Sequence, residues 1–212
     1  DYGDTIGDWD VSRVEDFSRL FVNNSYNSIP GAAAFNEPIN WDTGSATTMR
    51  ICHKNELHVL ATAKVTRMEY MFSDATGSMF YDATAFNQPL SFDTAKVKDM
   101  ESMFGATTFN QPLSFDTAKV TDMSFMFRDA TAFNQPLSLD TAEVTDMWGM
   151  FSGATAFNQA LSLDTAKVTD MYSMFDGATA FNQPLSFDTA KVDYMTEMFN
   201  GATAFNQDLC HF

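Results

Sequence analysis

The side chains that could carry out catalysis or bind a metal are few, and most of them lie in one short segment. Cys52, His53 and His58 lie close together, and the remaining cysteine and histidine are Cys210 and His211. A zinc site usually draws its ligands from two closely spaced pairs, and no second Cys pair is present. The sequence also lacks a glycine-rich phosphate loop and a nucleophile elbow. We therefore expect that the protein is not an enzyme and holds no cofactor.

Aspartate recurs at two positions, and a row of carboxylates is a candidate site for Ca²⁺. Calcium loops use a glycine at a characteristic spacing, which is not found here. Neighbouring carboxylates repel one another, and the free N–H groups of a helix N-terminus offset such repulsion. We predict that the first row caps short helices, with Ca²⁺ binding as the alternative. The first row is Asp93, Asp116, Asp140, Asp164 and Asp188, and the second is Asp99, Asp122, Asp146 and Asp170.

A repeated unit must position these side chains, because one phrase runs through most of the chain. Residues 109–132 read FNQPLSFDTAKVTDMSFMFRDATA, and later phrases begin 24 residues apart (157 − 133). A fixed period of this length is typical of stacked repeat proteins. We predict a single solenoid domain over residues 1–212, with regular repeats over 86–212. Irregular coils or long loops are expected at 22–34, 49–63 and 73–85.

Two hydrophobic patterns alternate within a repeat. Residues 112–116, PLSFD, alternate between apolar and polar side chains, which indicates a short strand. The apolar residues that follow recur at the spacing of one helix face. They are Val120, Met123, Met126 and Phe127. One strand and one short helical or 3₁₀ turn per coil predict an α/β solenoid of the leucine-rich-repeat type. An all-β solenoid, with a second strand in the VTDM segment, is the alternative.

Stacking turns each position of the repeat into a row of similar side chains. The Phe and Met rows predict a buried core, because a single repeat is too small to hide them alone. The Asn row that begins at Asn87 is flanked by core positions. We expect its amides to hydrogen bond to one another and to backbone groups. The Thr rows raise a remote alternative, ice or mineral binding, although a paired Thr-x-Thr face is lacking.

Some positions differ between otherwise similar repeats. Neither core packing nor turn formation dictates the residue type at these positions. After the Asp-Met pair, three successive repeats read SF, WG and YS. Large aromatic side chains that alternate with Ser and Thr at one position are expected on the surface. We predict that Phe125, Trp148 and Tyr172 form a contact patch for a protein or glycan. Scattered surface aromatics without a role are the alternative.

The net charge of the protein indicates which classes of partner it is expected not to bind. Lys and Arg number 12 and Asp and Glu number 28, which gives a formal net charge of −16. Such a surface repels nucleic acid and anionic lipid, and we expect neither as a partner. No apolar run is long enough to span a bilayer, so no transmembrane segment is predicted.

Two further sites are predicted from single residues. Asn23 begins an Asn-Asn-Ser sequon in a predicted loop, and it is a candidate for N-glycosylation. Stacked repeats would hold Cys52 and Cys210 too far apart for a disulfide within one chain. Each cysteine is therefore expected to be a free buried thiol, and for Cys210 the alternative is a disulfide with another chain.

The repeated pattern W/F-D-T-x-x-V-T-D-M-x-x-M-F-x-x-A-x-x-F-N-Q-x-L resembles the leucine-rich-like repeats of BspA-type bacterial surface proteins. The likeness covers essentially the whole chain from Trp9, except for residues 49–63 and the two long loops. It implies a secreted or cell-surface solenoid used for adhesion and protein–protein contact. It brings no catalytic residues to carry over.

Two functions of different kinds are consistent with these observations. The first is adhesion, in which a non-catalytic extracellular or cell-surface protein binds a protein or glycan. The alternative is self-assembly into a filament, coat or extracellular matrix by end-to-end or lateral stacking, because the sequence begins and ends within a repeat.

Overall fold

The fold is that of a computed structural model, which describes residues 39–40, 87–91 and 94–209. Within 94–209 the chain runs through successive coils that lie side by side, with hydrogen bonds between equivalent residues. Isolated parallel bridges mark a spacing of 23 or 24 residues between coils (122 − 99, 146 − 122). The bridges join Asp99, Asp122, Asp146, Asp170 and Tyr194 in that order.

Two short strands pair near the start of the described residues. β1 (Ile39–Asn40) and β2 (Leu90–Ser91) are parallel, with Ile39 opposite Leu90. Both strands lie at the same place in the repeated phrase, directly after its proline. The pairing therefore joins equivalent positions of two coils, although 51 residues separate them (90 − 39).

The later coils differ from the predicted combination of one strand and one helical turn. Residues 112–116 have no strand, and residues 120–127 form no helix. Tight turns replace the helix, because the N–H of Met126 donates to the carbonyl of Met123 at 3.2 Å, three residues back. In consecutive turns of this kind, roughly every third residue lies on the inner side of the coil. Consecutive tight turns, and not a helix, therefore account for the apolar spacing in this segment.

Alternate peptide groups of these turns point from one coil to the next. The N–H groups of Met123, Phe125, Phe127 and Asp129 donate to carbonyl groups of the following coil at 2.7–3.0 Å. The same four bonds recur one coil later. Every second residue therefore ties its coil to the next through the backbone, and such bonds are available whatever the side chain.

Two positions in each coil have a left-handed backbone, which makes the alternation of peptide groups feasible. Phe125 and Asp129 both have a φ of 55°, and their counterparts Gly149 and Gly153 have 57° and 69°. For a residue other than glycine this conformation costs about 1–2 kcal/mol. The hydrogen bonds between coils offset that cost at Phe125 and Asp129.

The Phe and Met rows form the core, which confirms their predicted burial except at Met195, which is 36% exposed. Between ring centroids, Phe127 lies 5.5 Å from Phe151 in the next coil and 4.3 Å from Phe133, six residues along the chain (133 − 127). Burying one such side chain contributes about 1.5–3 kcal/mol. The fully buried rings are Phe104, Phe109, Phe127, Phe133, Phe151, Phe157, Phe175 and Phe181.

The Asn row is half-buried, and its hydrogen-bond partners differ in part from the prediction. Asn110 Oδ1 accepts the N–H of Asn134 and the side-chain amide of Gln135, both at 3.0 Å. Asn134 Oδ1 accepts the N–H of Asn158 in the same way. Each of these amide oxygens therefore bonds to the backbone and to a glutamine of the next coil, rather than to another asparagine amide.

The first Asp row and one Thr row stabilise turns and contacts between coils. Asp116 Oδ1 accepts the N–H of Ala118 at 3.1 Å, so this carboxylate caps a turn where a helix was predicted. The buried hydroxyl of Thr117 donates to the carbonyl of Asp140 at 2.9 Å, and the bond recurs in later coils. This Thr row therefore does not present its hydroxyl groups to ice or a mineral.

Candidate functional site

The second row of aspartates positions the residues on the outer side of the coils. Asp146 Oδ1 accepts the N–H of Trp148 at 2.9 Å, and Asp170 Oδ1 accepts the N–H of Tyr172 at 2.8 Å. A carboxylate that accepts the N–H two residues along closes an Asx turn, which fixes the local backbone. These carboxylates therefore fix the backbone from which the side chains of Trp148 and Tyr172 project in neighbouring coils.

Three aromatic side chains predicted as a contact patch form one continuous row, which we call the aromatic row: Phe125, Trp148 and Tyr172. The rings of Phe125 and Trp148 lie 4.6 Å apart between centroids and are tilted by 54°. Those of Trp148 and Tyr172 lie 5.9 Å apart in an edge-to-face arrangement. Trp148 is 41% exposed, and its two neighbours are half-buried. The row therefore presents ring surface to solvent across three successive coils.

Phe125 joins the row because the next coil has a glycine beneath its ring. A Cβ atom built on Gly149 would lie 2.6 Å from Cε1 of Phe125, which is far closer than van der Waals contact. The missing side chain at Gly149 thus leaves the space that the ring occupies. This close approach explains how Phe125, one position later in its repeat than Trp148, still meets the indole.

Charged side chains lie at both ends of the aromatic row. The guanidinium carbon of Arg128 lies 5.1 Å from the ring centroid of Phe125, within the range of a cation–π contact. At the other end, the hydroxyl of Tyr172 donates to Glu197 Oε2 at 2.9 Å. This hydrogen bond and the negative charge of Glu197 raise the pKa of Tyr172. The two contacts hold the outer rings of the row in place.

A surface pocket opens beside the aromatic row. Trp148, Asp170, Tyr172 and Tyr194 line it, and its volume is about 210 Å³. Tyr194 is 62% exposed and was not among the predicted site residues. The repeat does contain a signal for it, since Tyr194 lies 24 residues after Asp170 (194 − 170) and replaces the aspartate of that row.

Asp146, which accepts the backbone N–H of Trp148, has a raised pKa. Burial raises the pKa of Asp146 from 3.8 to about 6. The N–H of Trp148 opposes this change, whereas the charges of Asp122 and Asp170 add to it. Ionisation of Asp146 therefore destabilises the fold, and the free energy of unfolding falls as the pH rises towards and through the folded pKa.

The structure does not describe the remaining predicted site residues. Among the residues that the structure describes, no group of three or more His, Cys, Asp or Glu side chains is placed to hold a metal ion. Asn23, Cys52, His53, His58 and Cys210 lie outside the described residues. The irregular coils and long loops predicted at 22–34, 49–63 and 73–85 also lie outside the described residues. In the described part of the chain, no helix is long and apolar enough to cross a membrane.

Comparison with known families places the chain among tandem-repeat proteins. Residues 1–77, 76–162 and 138–212 each match the model of one family, which is described as "Mycoplasma protein of unknown function, DUF285". Together the three matches span the whole sequence. No curated protein and no solved structure matches the chain significantly.

Proposed function

The chain belongs to the DUF285 family of tandem-repeat proteins, and we propose that it is a non-catalytic protein that binds a partner through the aromatic row. The partner is a protein or a glycan, and the setting is the cell surface or the extracellular space. The resemblance of the repeats to BspA-type surface proteins supports an adhesive role.

The observation that carries this proposal is the continuity of the aromatic row. Phe125, Trp148 and Tyr172 are in ring contact across three coils, although backbone hydrogen bonds would join those coils whatever the side chains. In other coils the position of Trp148 carries Glu101, Ser124 or Thr196. Exposed tryptophan and tyrosine are enriched at the energetically important points of interfaces. The row is therefore well suited to contact, and the fold does not require it.

The chemistry of the surface favours some partners over others. Aromatic faces pack against apolar side chains and against the apolar faces of sugar rings, and both contacts form without hydrogen bonds. A net charge of −16 opposes the approach of nucleic acid, and it favours partners with basic groups. We therefore propose a basic or neutral surface as the partner.

For the fold class, the bridges support the all-β alternative over the leucine-rich-repeat type with a helical turn. The parallel bridges fall at Asp122, Asp146 and Asp170, within the VTDM segment that this alternative assigns to a strand. Far-UV circular dichroism of the full chain tests the assignment. A spectrum without helical minima would support it, and strong helical minima would reject it.

Binding to printed protein and glycan arrays tests the function. The wild-type chain is compared with the double variant Trp148→Ala/Tyr172→Ala and with a control, Glu101→Ala/Thr196→Ala, that changes the same position in two other coils. We expect capture of the wild type and the control and loss of capture by the double variant. Equal capture of all three proteins would reject the aromatic row as the contact surface.

Sedimentation at several concentrations distinguishes partner binding from self-assembly. Under the proposed function the chain remains a monomer, with and without reductant. Reversible growth with concentration would support the self-assembling alternative, and growth that reductant abolishes would point to a disulfide through Cys210.

A further inference from the structure

The pocket beside the aromatic row has a composition suited to one class of ligand. We propose that Trp148, Asp170, Tyr172 and Tyr194 bind a methylated ammonium group, that of a methylated lysine side chain on a partner protein. The inference rests on the proposed function and deepens it, because it names the chemical group of the partner that the aromatic row contacts.

The pocket walls combine three aromatic rings with one carboxylate. Trp148 and Tyr172 belong to successive coils, and Asp170 lies two residues before Tyr172 (172 − 170). Methylated ammonium ions are held by ring faces that attract the positive charge, and a carboxylate adds a full opposite charge. Both parts of such a site are therefore present in the lining of this pocket.

Tyr194 completes the pocket because it interrupts a row of aspartates. Its backbone forms the bridge to Asp170 that an aspartate forms in the preceding coils. With an aspartate at this position, a second carboxylate would take the place of one of the three aromatic rings that line the pocket. The tyrosine supplies ring surface there instead, and its side chain is 62% exposed and accessible to a ligand.

The surroundings favour a cation over a neutral or anionic ligand. Asp170 lines the pocket, Glu197 binds the hydroxyl of Tyr172, and the chain as a whole carries a net charge of −16. The same aromatic row already carries a cation, since the guanidinium of Arg128 lies over Phe125. A positively charged ligand at the other end of the row would make the same type of contact.

The engaged polar groups favour a methylated cation over a sugar. Asp170 Oδ1 accepts the N–H of Tyr172, and the Tyr172 hydroxyl donates to Glu197. A sugar needs several hydrogen-bond partners around its hydroxyl groups, whereas a methylated ammonium needs ring faces and charge. The volume of about 210 Å³ lies below that of a typical site for a drug-sized ligand, and it suits a single methylated ammonium group.

The test follows the indole N–H signals of the full chain in ¹H–¹⁵N NMR spectra. The chain has 3 tryptophans, and the spectrum of Trp148→Phe assigns the signal of Trp148. The probe is choline chloride, titrated at constant ionic strength against sodium chloride. The matched neutral probe is 3,3-dimethylbutan-1-ol, which has the shape of choline without its charge. We expect choline to shift the Trp148 signal saturably and to bind roughly tenfold more tightly than the alcohol.

Three variants identify the groups responsible. Asp170→Asn keeps the acceptor for the Tyr172 N–H and removes the charge, so we expect choline to bind roughly three- to tenfold more weakly. Tyr194→Ala weakens binding as well, whereas Tyr194→Phe retains it because the ring face is kept. Glu143→Gln removes one exposed charge elsewhere and leaves binding unchanged.

Four outcomes would overturn the inference. They are equal binding of choline and the alcohol, unchanged choline binding by Asp170→Asn, loss of binding in Tyr194→Phe, and no shift of the Trp148 signal with choline. A Trp148 shift with methyl β-D-glucoside and none with choline would overturn this inference and leave the proposed function standing. If the arrays also show no dependence on Trp148 and Tyr172, the proposed function fails with it.

Discussion

Phe151 and Trp148 lie three residues apart in one coil, yet they belong to regions under different physical demands. Phe151 is fully buried, and its ring stacks 5.5 Å from Phe127 on one side and 5.5 Å from Phe175 on the other. Trp148 is 41% exposed, and its counterparts in other coils are Glu, Ser, Tyr and Thr. The inner position repeats because each ring must fit the next, whereas the outer position is free to vary, and the proposed function assigns partner binding to it.

The largest expected effect is the loss of a core ring. Replacing Phe151 by Ala removes stacking against both neighbouring coils, and we expect the free energy of unfolding to fall by about 3–5 kcal/mol. Trp148→Ala is the matched outer variant, and loss of its two ring contacts should cost about 1–2 kcal/mol. Urea unfolding measures both changes. Similar losses in the two variants would remove the distinction between inner and outer positions.

The next effect tests the close contact between Phe125 and Gly149. Gly149→Ala adds a Cβ that meets the Phe125 ring at 2.6 Å in a left-handed residue, and we expect a loss of about 2–4 kcal/mol. Gly177→Ala is the control, because its φ is 67° but its nearest neighbours lie at 3.7 Å. It should lose only about 1–2 kcal/mol. Equal losses in thermal or urea unfolding would show that the ring does not lie over Gly149.

Substitutions in the asparagine row are expected to lower the free energy of unfolding by a smaller amount. The asparagine side chains stabilise the contacts between successive coils. Asn134→Ala removes the acceptor for the N–H of Asn158 and the amide of Gln159, and should cost about 1–3 kcal/mol. Gln159→Ala removes only one donor from that acceptor, and it should cost less. Urea unfolding compares the two, and a larger loss in the glutamine variant would contradict this account of the row.

The smallest effect concerns Asp146 and depends on pH. Because the pKa of Asp146 is raised from 3.8 to about 6 in the fold, the wild type loses stability as the pH rises through this range. Asp146→Asn keeps the acceptor for the Trp148 N–H and cannot ionise. We expect it to be more stable than the wild type by about 1 kcal/mol above pH 7, after allowance for solvent screening, and equally stable below about pH 4.

The control for this prediction is Asp140→Asn. Asp140 makes the same type of contact, with Ala142 N–H at 3.1 Å from its Oδ1, but its side chain is exposed. Its replacement should change stability by less than about 0.5 kcal/mol at any pH. Thermal unfolding from pH 4 to pH 8 measures both variants. A pH-independent gain in Asp146→Asn would show that ionisation of this carboxylate is not the cause.

The sequence was sufficient to predict which side chains are buried, because stacking demands identical residues at identical positions. The Phe and Met rows and the outward position of Trp148 follow from that rule alone. It also predicted that Phe125, Trp148 and Tyr172 lie together, although Phe125 lies one position later in its repeat, and their rings are in contact. The glycine at position 149 is the feature that makes their contact feasible.

The conformation of the turns could not be predicted from the apolar spacing. Val120, Met123 and Met126 recur every third residue, which suits one face of a helix and also suits consecutive tight turns. The left-handed positions carry Phe125 and Asp129 in one coil and glycines in the next, so no single residue type marks them. Tyr194 was missed because a tyrosine in an aspartate row was not taken as a site.

Under the proposed function, partner binding depends on the aromatic row and stability of the fold depends on the buried core. A substitution in the aromatic row should therefore abolish binding without unfolding the protein. The most direct test is the binding of Trp148→Ala/Tyr172→Ala to the array spots that capture the wild-type chain, with folding verified on the same sample. We predict at least a tenfold loss of binding by a variant that remains folded, which is about 1.4 kcal/mol or more. Undiminished binding by the folded variant would contradict the claim.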